Sequence, residues 1–292
     1  MKNTTWSYQT ALTVPEAQMQ LSSTFFSKYG LTKKIEIESK PIFFYKIPNL
    51  NLKINWLYIP PKANKQFYKR IGYAIGSLHG IYYPSPLMRY IAKKNILGLS
   101  FNNGQIPNSL IFRNELLFSI IDDYKKGCSR KRSLYTIYLG VAFPLNKNND
   151  INPLEKKNAY WYRKTSVFEN PIWYLGFNYT SSFPYGLHYA IDIGFYSIGI
   201  NTNSFTIEHK TLFYILWLTH LRVAAGYKTA FSNEVNIKAA LYPVFDATII
   251  FFTKKYKREK KPKNSYISSD EMLKYLKEKG LIESNQEQNK RK

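Results

Sequence analysis

Cysteine is almost absent from this 292-residue chain, with Cys128 standing alone. No intramolecular disulfide framework can therefore hold it together, and stability falls to strand pairing and side-chain packing. Long hydrophobic runs are missing too. The longest is Leu212-Phe-Tyr-Ile-Leu-Trp-Leu218. A membrane helix needs about 20 apolar residues, so helical spans are excluded, whereas a barrel strand needs only about 9 to 11. Acids are scarce: Asp+Glu 19 against Lys+Arg 42, a formal charge of +23. Such an imbalance draws the chain toward acidic surfaces, whether nucleic acid, anionic lipid or lipopolysaccharide phosphates. No repeat of fixed period, glycine-rich phosphate loop, HExxH stretch or Cys/His cluster is present. His79, His188, His209 and His220 are scattered without metal-ligand spacing, and no cofactor is expected. The N-terminus, Met1-Lys-Asn-Thr-Thr-Trp6, lacks the apolar core of a secretory signal. For an exported protein, a mature or truncated form is then expected.

What the chain does have is aromatic residues and alternation. Tyr 25, Phe 19 and Trp 5 are a heavy load for a soluble domain, and suit aromatic girdles at two membrane interfaces. In residues 187–196, Leu187, Tyr189, Ile191, Ile193 and Phe195 point one way, and His188, Ala190, Asp192, Gly194 and Tyr196 the other. The division recurs. Trp173, Leu175, Phe177 and Tyr179 oppose Tyr174, Gly176, Asn178 and Thr180; Leu221, Val223, Ala225 and Tyr227 oppose Arg222, Ala224, Gly226 and Lys228. Met19, Leu21, Ser23 and Phe25 share a face, as do Leu50, Leu52, Ile54 and Trp56, and as do Leu110, Phe112, Asn114, Leu116, Phe118 and Ile120.

Alternation alone does not separate a strand facing lipid from one facing water. The second face decides. In a soluble sheet it would favour Lys, Glu and Thr; here it carries Gly140, Ala142, Gly176, Ala190, Gly194, Ala224, Gly226 and Ala240. Small residues suit the inside of a narrow barrel, where opposite walls compete for space. The reading is an all-β fold: a single antiparallel transmembrane barrel of about 10–12 strands with a short C-terminal helical tail. Its lipid-facing set is Trp173, Leu175, Phe177, Leu187, Ile191, Ile193, Phe195, Leu221 and Val223. Its lumen-lining charged set is Lys53, Arg113, Glu115, His188, Asp192, His220, Arg222, Lys228 and Lys238.

The chain divides into an N-terminal segment over 1–16, the barrel over 17–253, a basic linker over 254–268, and a helix with a polar end over 269–292. Ser269 as N-cap, early acids, later lysines and Gly280 as stop predict the helix. Residues 84–92 suggest a short helix after two prolines, and 146–164 a long loop. Lys28–Lys34 reads as a turn, and Pro243 as a bulge or edge.

Tyr29-Gly-Leu-Thr-Lys-Lys-Ile-Glu-Ile37, entered from Thr13-Val-Pro-Glu16, resembles the first hairpin of many bacterial outer-membrane barrel proteins. The chain departs at Lys33, where that family usually carries Asp. The resemblance covers a small part of the chain and implies fold and location only. The partners it implies are outer-membrane lipid or lipopolysaccharide, the barrel-assembly machinery, and a periplasmic partner for the tail.

Three functions follow. The first is an outer-membrane barrel of structural or passive-transport type, in which Arg113, Arg222, Lys228, Lys238 and Lys53 either favour anions in a narrow channel or pair with Glu36, Glu38, Glu115 and Asp192. The second is a barrel-embedded hydrolase using His188 and Asp192 to activate water, although a bland lumen pair is the expected role of those two. Thr180-Ser-Ser182 reads as a turn rather than a nucleophile, and Glu208-His209 as a solvated pair. The third is a soluble, basic nucleic-acid-binding protein stacking bases on Tyr and Phe. Its basic residues are dispersed rather than gathered beside aromatics, so nucleic acid is not favoured and no enzyme activity is expected.

Overall fold

The computed structural model describes residues 10–40, 49–61, 69–83, 110–126, 129–145, 159, 163, 166–167, 170–182, 187–199, 203–218 and 220–253. The chain divides into two units, Met1–Thr253 and Lys254–Lys292. The second, with the expected tail helix, lies outside the described residues, as does the helix expected over 84–92.

Twelve strands form the first unit: β1 (Gln18–Ser22), β2 (Ser27–Gly30), β3 (Ile35–Ser39), β4 (Asn49–Ile59), β5 (Lys69–Tyr82), β6 (Ile111–Lys126), β7 (Ser129–Pro144), β8 (Ile172–Ser182), β9 (Leu187–Ile198), β10 (Ser204–Leu218), β11 (Leu221–Ser232) and β12 (Ala240–Phe252). Each pairs with its sequence neighbour, and β1 closes on β12, giving a closed antiparallel barrel. The seam runs from Gln18↔Phe252 to Ser22↔Thr248. Closure leaves no free sheet edge along the paired stretch, which is how barrels avoid edge-to-edge association.

Both ends of this barrel chain emerge where the connections are short. On that side lie the connections 31–34, 60–68, 127–128, 183–186 and 219–220, none longer than nine residues, together with residues 17 and 253. The long connections, 83–110 and 145–171, leave from the opposite side. The 31–34 turn is tied by Thr32, whose Oγ1 accepts the N–H groups of Lys34 and Ile35, each at 3.1 Å. A threonine hydroxyl thus makes the bonds that an Asp would otherwise make in such a turn.

The wall is uneven. β1, β2 and β3 have 5, 4 and 5 residues, about 15 Å along the strand, whereas β5 to β7 have 14 to 16. β1 therefore covers only the last part of β12. Ser23 and Thr24 extend the seam through Ser23 N–H to Ala247 O at 2.9 Å and Thr24 N–H to Asp246 Oδ1 at 3.0 Å. Beyond them, Ala240–Val244 has β11 as its only strand neighbour among the described residues. The expected edge role of Pro243 follows. Ala247 offers its carbonyl to the β1 side, and backbone groups alternate along a strand. The nitrogen of Pro243 therefore faces the open edge, where no donor is needed.

The predicted strand over Met19–Phe25 stops at Ser22. Phe25 does not share the outer face of Met19 and Leu21 but turns inward against the cluster of Ala190, Leu212, Tyr214 and Ala224. Lys28, Tyr29 and Gly30 pair as β2 rather than turning, and Thr180, Ser181 and Ser182 belong to β8.

Candidate functional site

Alternation fixes two faces, and burial assigns them. Leu175 is 51% exposed, Leu116 57%, Phe213 54% and Ile215 55%, so the outer wall is predominantly apolar. Tyr138, Lys53, Glu36, Asn51, Asn178, Thr136 and Thr206 are among the largest fully buried side chains. A barrel that keeps lysine, glutamate and asparagine inside while showing leucine and phenylalanine outside inverts the arrangement water would select.

The interior is organised by cross-strand pairing. Lys28 opposes Glu38 on β2–β3, and Glu36 opposes Lys53 on β3–β4. Their heads converge: Lys53 Nζ lies 2.7 Å from Glu36 and 3.1 Å from Glu38, and Lys28 Nζ lies 3.2 Å from Glu38 and 3.6 Å from Glu36. Two cations and two anions balance, which is the condition for keeping such groups out of water.

A second group is built around tyrosines. Tyr174 OH accepts from Arg113 Nε at 2.9 Å and donates to Glu115 at 2.8 Å, while Arg113 also pairs with Glu115. Tyr138 OH donates to Asp192 at 3.0 Å, and Lys210 approaches the same carboxylate at 3.3 Å. Glycine makes room for these rings. Tyr174 is the partner of Gly140 and Tyr138 of Gly176, and a Cβ on either glycine would run into the ring opposite.

Two chain segments enter the lumen. From the long connection between β7 and β8, Arg163 pairs with Glu208 and stands 4.1 Å over the Tyr196 ring, while Lys228 reaches Glu208 at 2.6 Å. The N-terminal segment enters beside β3. Thr10, Ala11 and Val14 are fully buried. Ala11 N–H donates to Ser119 Oγ at 2.9 Å, Asn55 Nδ2 donates to Ala11 O at 2.8 Å, and Val14 N–H donates to Glu36. The segment thus runs between β3–β4 and β6, and Ala11 and Leu12 pack on Ala74, Leu78, Leu117, Ile121 and Leu134. This inner layer is apolar, unlike the small or ionic face expected throughout. It exists because the barrel contains chain to pack against. Ala17, at φ 59°, turns the segment into β1, held by Gln18 N–H to Pro15 O at 3.0 Å and Ala17 N–H to Gly30 O at 2.8 Å.

Of the predicted lumen residues, Lys53 and Glu115 are buried, and Arg113, His188, Asp192, Arg222 and Lys228 sit half-buried on the inward face. Arg222 donates to Thr248 at 3.0 Å and lies over Tyr214. His220 and Lys238 do not belong to this set. His220 is exposed in the β10–β11 turn, and Lys238 is exposed in the β11–β12 connection, where Ala159 N–H meets its carbonyl at 3.0 Å. Strand periodicity was extended past strand ends in both cases.

His188 and Asp192 share a face but do not meet. Four positions along a strand separate them by about 13 Å, and Asp192 is engaged by Tyr138 and Lys210. The dyad a hydrolase needs is not assembled there. Glu208 and His209 are not a solvated pair either: Glu208 is buried inside, while His209 packs outward against Tyr227. Trp173, Leu175, Phe177, Leu187, Ile193, Phe195 and Val223 are exposed on the outer wall, and Ile191 and Leu221 are half-exposed there. Sequence reasoning missed Lys28, Lys210, Glu208, Arg163 and Asp246 as interior charges. Asp246 gathers Ser22 Oγ, Thr24 N–H and Thr248 Oγ1 at 2.6, 3.0 and 2.6 Å. Its only sequence signal was an acid on an otherwise alternating strand.

Among the described residues, no group of three or more His, Cys, Asp and Glu side chains is placed to hold a metal, and no helix is long and apolar enough to cross a membrane. Neither a model of any known protein family nor any curated protein matches the chain.

Proposed function

We propose that this chain is an outer-membrane β-barrel protein of structural type, whose lumen is closed by its own side chains and N-terminal segment. The observation that carries the reading is the inverted polarity: a closed barrel with a leucine- and phenylalanine-rich outside and buried lysine–glutamate groups inside. Hydrocarbon is the solvent that favours such an outside, and a closed barrel is the sheet that can satisfy its backbone there. The connections support the bacterial outer membrane in particular. Barrels of that membrane have even strand numbers, with short periplasmic turns and long extracellular loops. Here twelve strands have both barrel ends on the short-turn side.

The closed form is favoured over an anion channel because the inward cations are already engaged. Lys28, Lys53, Arg113, Arg163, Lys210 and Lys228 each meet a carboxylate, Glu208 serving both Arg163 and Lys228, and Arg222 is held by Thr248 and the Tyr214 ring. Cations bound in this way are poorly placed to attract a passing anion.

Fractionation tests location. The protein is expected in the outer-membrane fraction, extracted by detergent and not by salt or carbonate. Recovery as a freely soluble monomer would overturn the reading and favour the basic nucleic-acid-binding alternative. Planar bilayers test closure: the full chain is expected to give no steady single-channel current, and anion-selective conductance would replace the structural reading with the channel.

A further inference from the structure

Polar side chains on the outer wall include His209 and Thr211 on β10, 3.1 Å apart, and a longer relay across β4, β5 and β6. Trp56 lies outward at a bulge in β4. Its Nε1 donates to Ser77 Oγ on β5 at 2.8 Å. Ser77 Oγ lies 3.0 Å from Nε2 of His79, and Nδ1 of His79 lies 2.8 Å from Oδ1 of Asn114 on β6. An indole N–H only donates. Ser77 accepts from Trp56 and meets Nε2 of His79, whose Nδ1 in turn meets Asn114 Oδ1. The chain ends at Asn114, whose amide N–H groups lie beyond it.

His79 and Asn114 are direct cross-strand partners inside the apolar wall. On the same face, Ile81 and Phe112 stand on the side of the long connections, and Ile75, Leu116 and Phe118 on the other. Lipid tails offer those amide protons no acceptor. Polar groups placed within a membrane wall mark function or contact rather than stability.

We propose that the β4–β6 face is the contact surface between two copies of this chain, related by a two-fold axis near Asn114. The proposal rests on the membrane reading above. A carboxamide carries both a donor and an acceptor, so two Asn114 side chains facing across a two-fold axis exchange reciprocal N–H to O bonds. An isologous interface brings the same patch to itself and needs such self-complementary groups. The surroundings suit close approach. Val141 follows Asn114 on β7 as a small neighbour, and Leu52, Leu116 and Ile81 give an uncharged apolar border. Hydrogen bonds between polar side chains are the specific glue available to proteins in lipid.

The test uses the full chain in its membrane, with Cys128→Ser removing the native thiol. Asn114→Cys is expected to form a disulfide-linked dimer under mild oxidation, while Val223→Cys, on β11 across the barrel, is not. Native mass spectrometry of the wild type in lipid nanodiscs is expected to show two copies. His79→Leu with Asn114→Leu is expected to weaken self-association at least tenfold while the protein stays in the membrane fraction. A membrane-embedded wild-type monomer, equal trapping at Val223→Cys, or trapping of Asn114→Cys to a different protein would each overturn the inference and leave the barrel assignment standing. A protein that needs no detergent would overturn the membrane assignment itself.

Discussion

Lys53 Nζ lies 2.7 Å from Oε1 of Glu36, at a point where the two side chains are 1% and 0% exposed. Neither group can recover water if the other is removed. Lys53→Met therefore leaves Glu36 and Glu38 with Lys28 alone, and the expected cost is about 3–5 kcal/mol. Urea unfolding in lipid vesicles reads this as a fall in midpoint. Adding Glu36→Gln to Lys53→Met is expected to restore part of the loss, because it removes the uncompensated anion. A double variant as weak as the sum of the singles would show that the pair is not coupled.

Tyr138 and Gly176 make a second directly testable pair. The tyrosine ring lies where a side chain on Gly176 would stand, and its hydroxyl reaches Asp192 at 3.0 Å. Gly176→Ala is expected to destabilise by about 1–3 kcal/mol through overpacking. Tyr138→Phe keeps the ring and loses one hydrogen bond to a charged group, worth about 1.5–3 kcal/mol. In the double variant Gly176→Ala with Tyr138→Ala, the clash is gone, and the alanine at 176 is expected to add nothing further.

Residues 10–14 occupy the space beside Asn55, Ser119 and Glu36. Deleting residues 1–14 removes Ala11 and Val14 as partners of those three side chains and opens the apolar layer around Leu117 and Ile121 to water. Steady conductance in planar bilayers is expected from the truncated chain and not from the full one. If truncation leaves the bilayer silent, the side-chain groups around Lys53 and Tyr174 seal the lumen without help.

Pro243 lies on the stretch of β12 that has β11 as its only described strand neighbour. Pro243→Val restores an N–H on the open edge without breaking a bond to β11. Its stability is expected to stay within about 0.5 kcal/mol of the wild type, as for ordinary surface changes. Association during refolding is expected to rise, because an edge with a full set of donors and acceptors templates another strand. Light scattering during refolding distinguishes this from a simple loss of stability.

Much of this fold was legible because the side-chain period of a strand is fixed by the backbone pleat. Leu175 and Gly176, or Ile191 and Asp192, must face opposite ways wherever the strand goes. Strand ends were less legible, since periodicity does not announce where pairing stops. Phe25 continues the alternation of Met19 and Leu21 in sequence, yet Asp246 binds Ser22 and Thr24 and bends the chain inward. Lys238 fits the inward series of β12 on paper, but the β11–β12 ladder ends at Ala230 and Ala240 and Lys238 is exposed beyond it.

The sequence by itself determined the class of architecture and, within the strands, most of which residues lie inside or outside, since both follow from a local rule of backbone geometry. Only the tertiary structure decided which charges meet. That Lys53 finds Glu36, that Asp192 takes Tyr138 and Lys210 rather than His188, and that Thr10–Pro15 threads the lumen all depend on the register of strands and on closure between β1 and β12. Those contacts join residues far apart in the chain. Their partners are chosen by where a closed wall brings each side chain, and no local pattern records that.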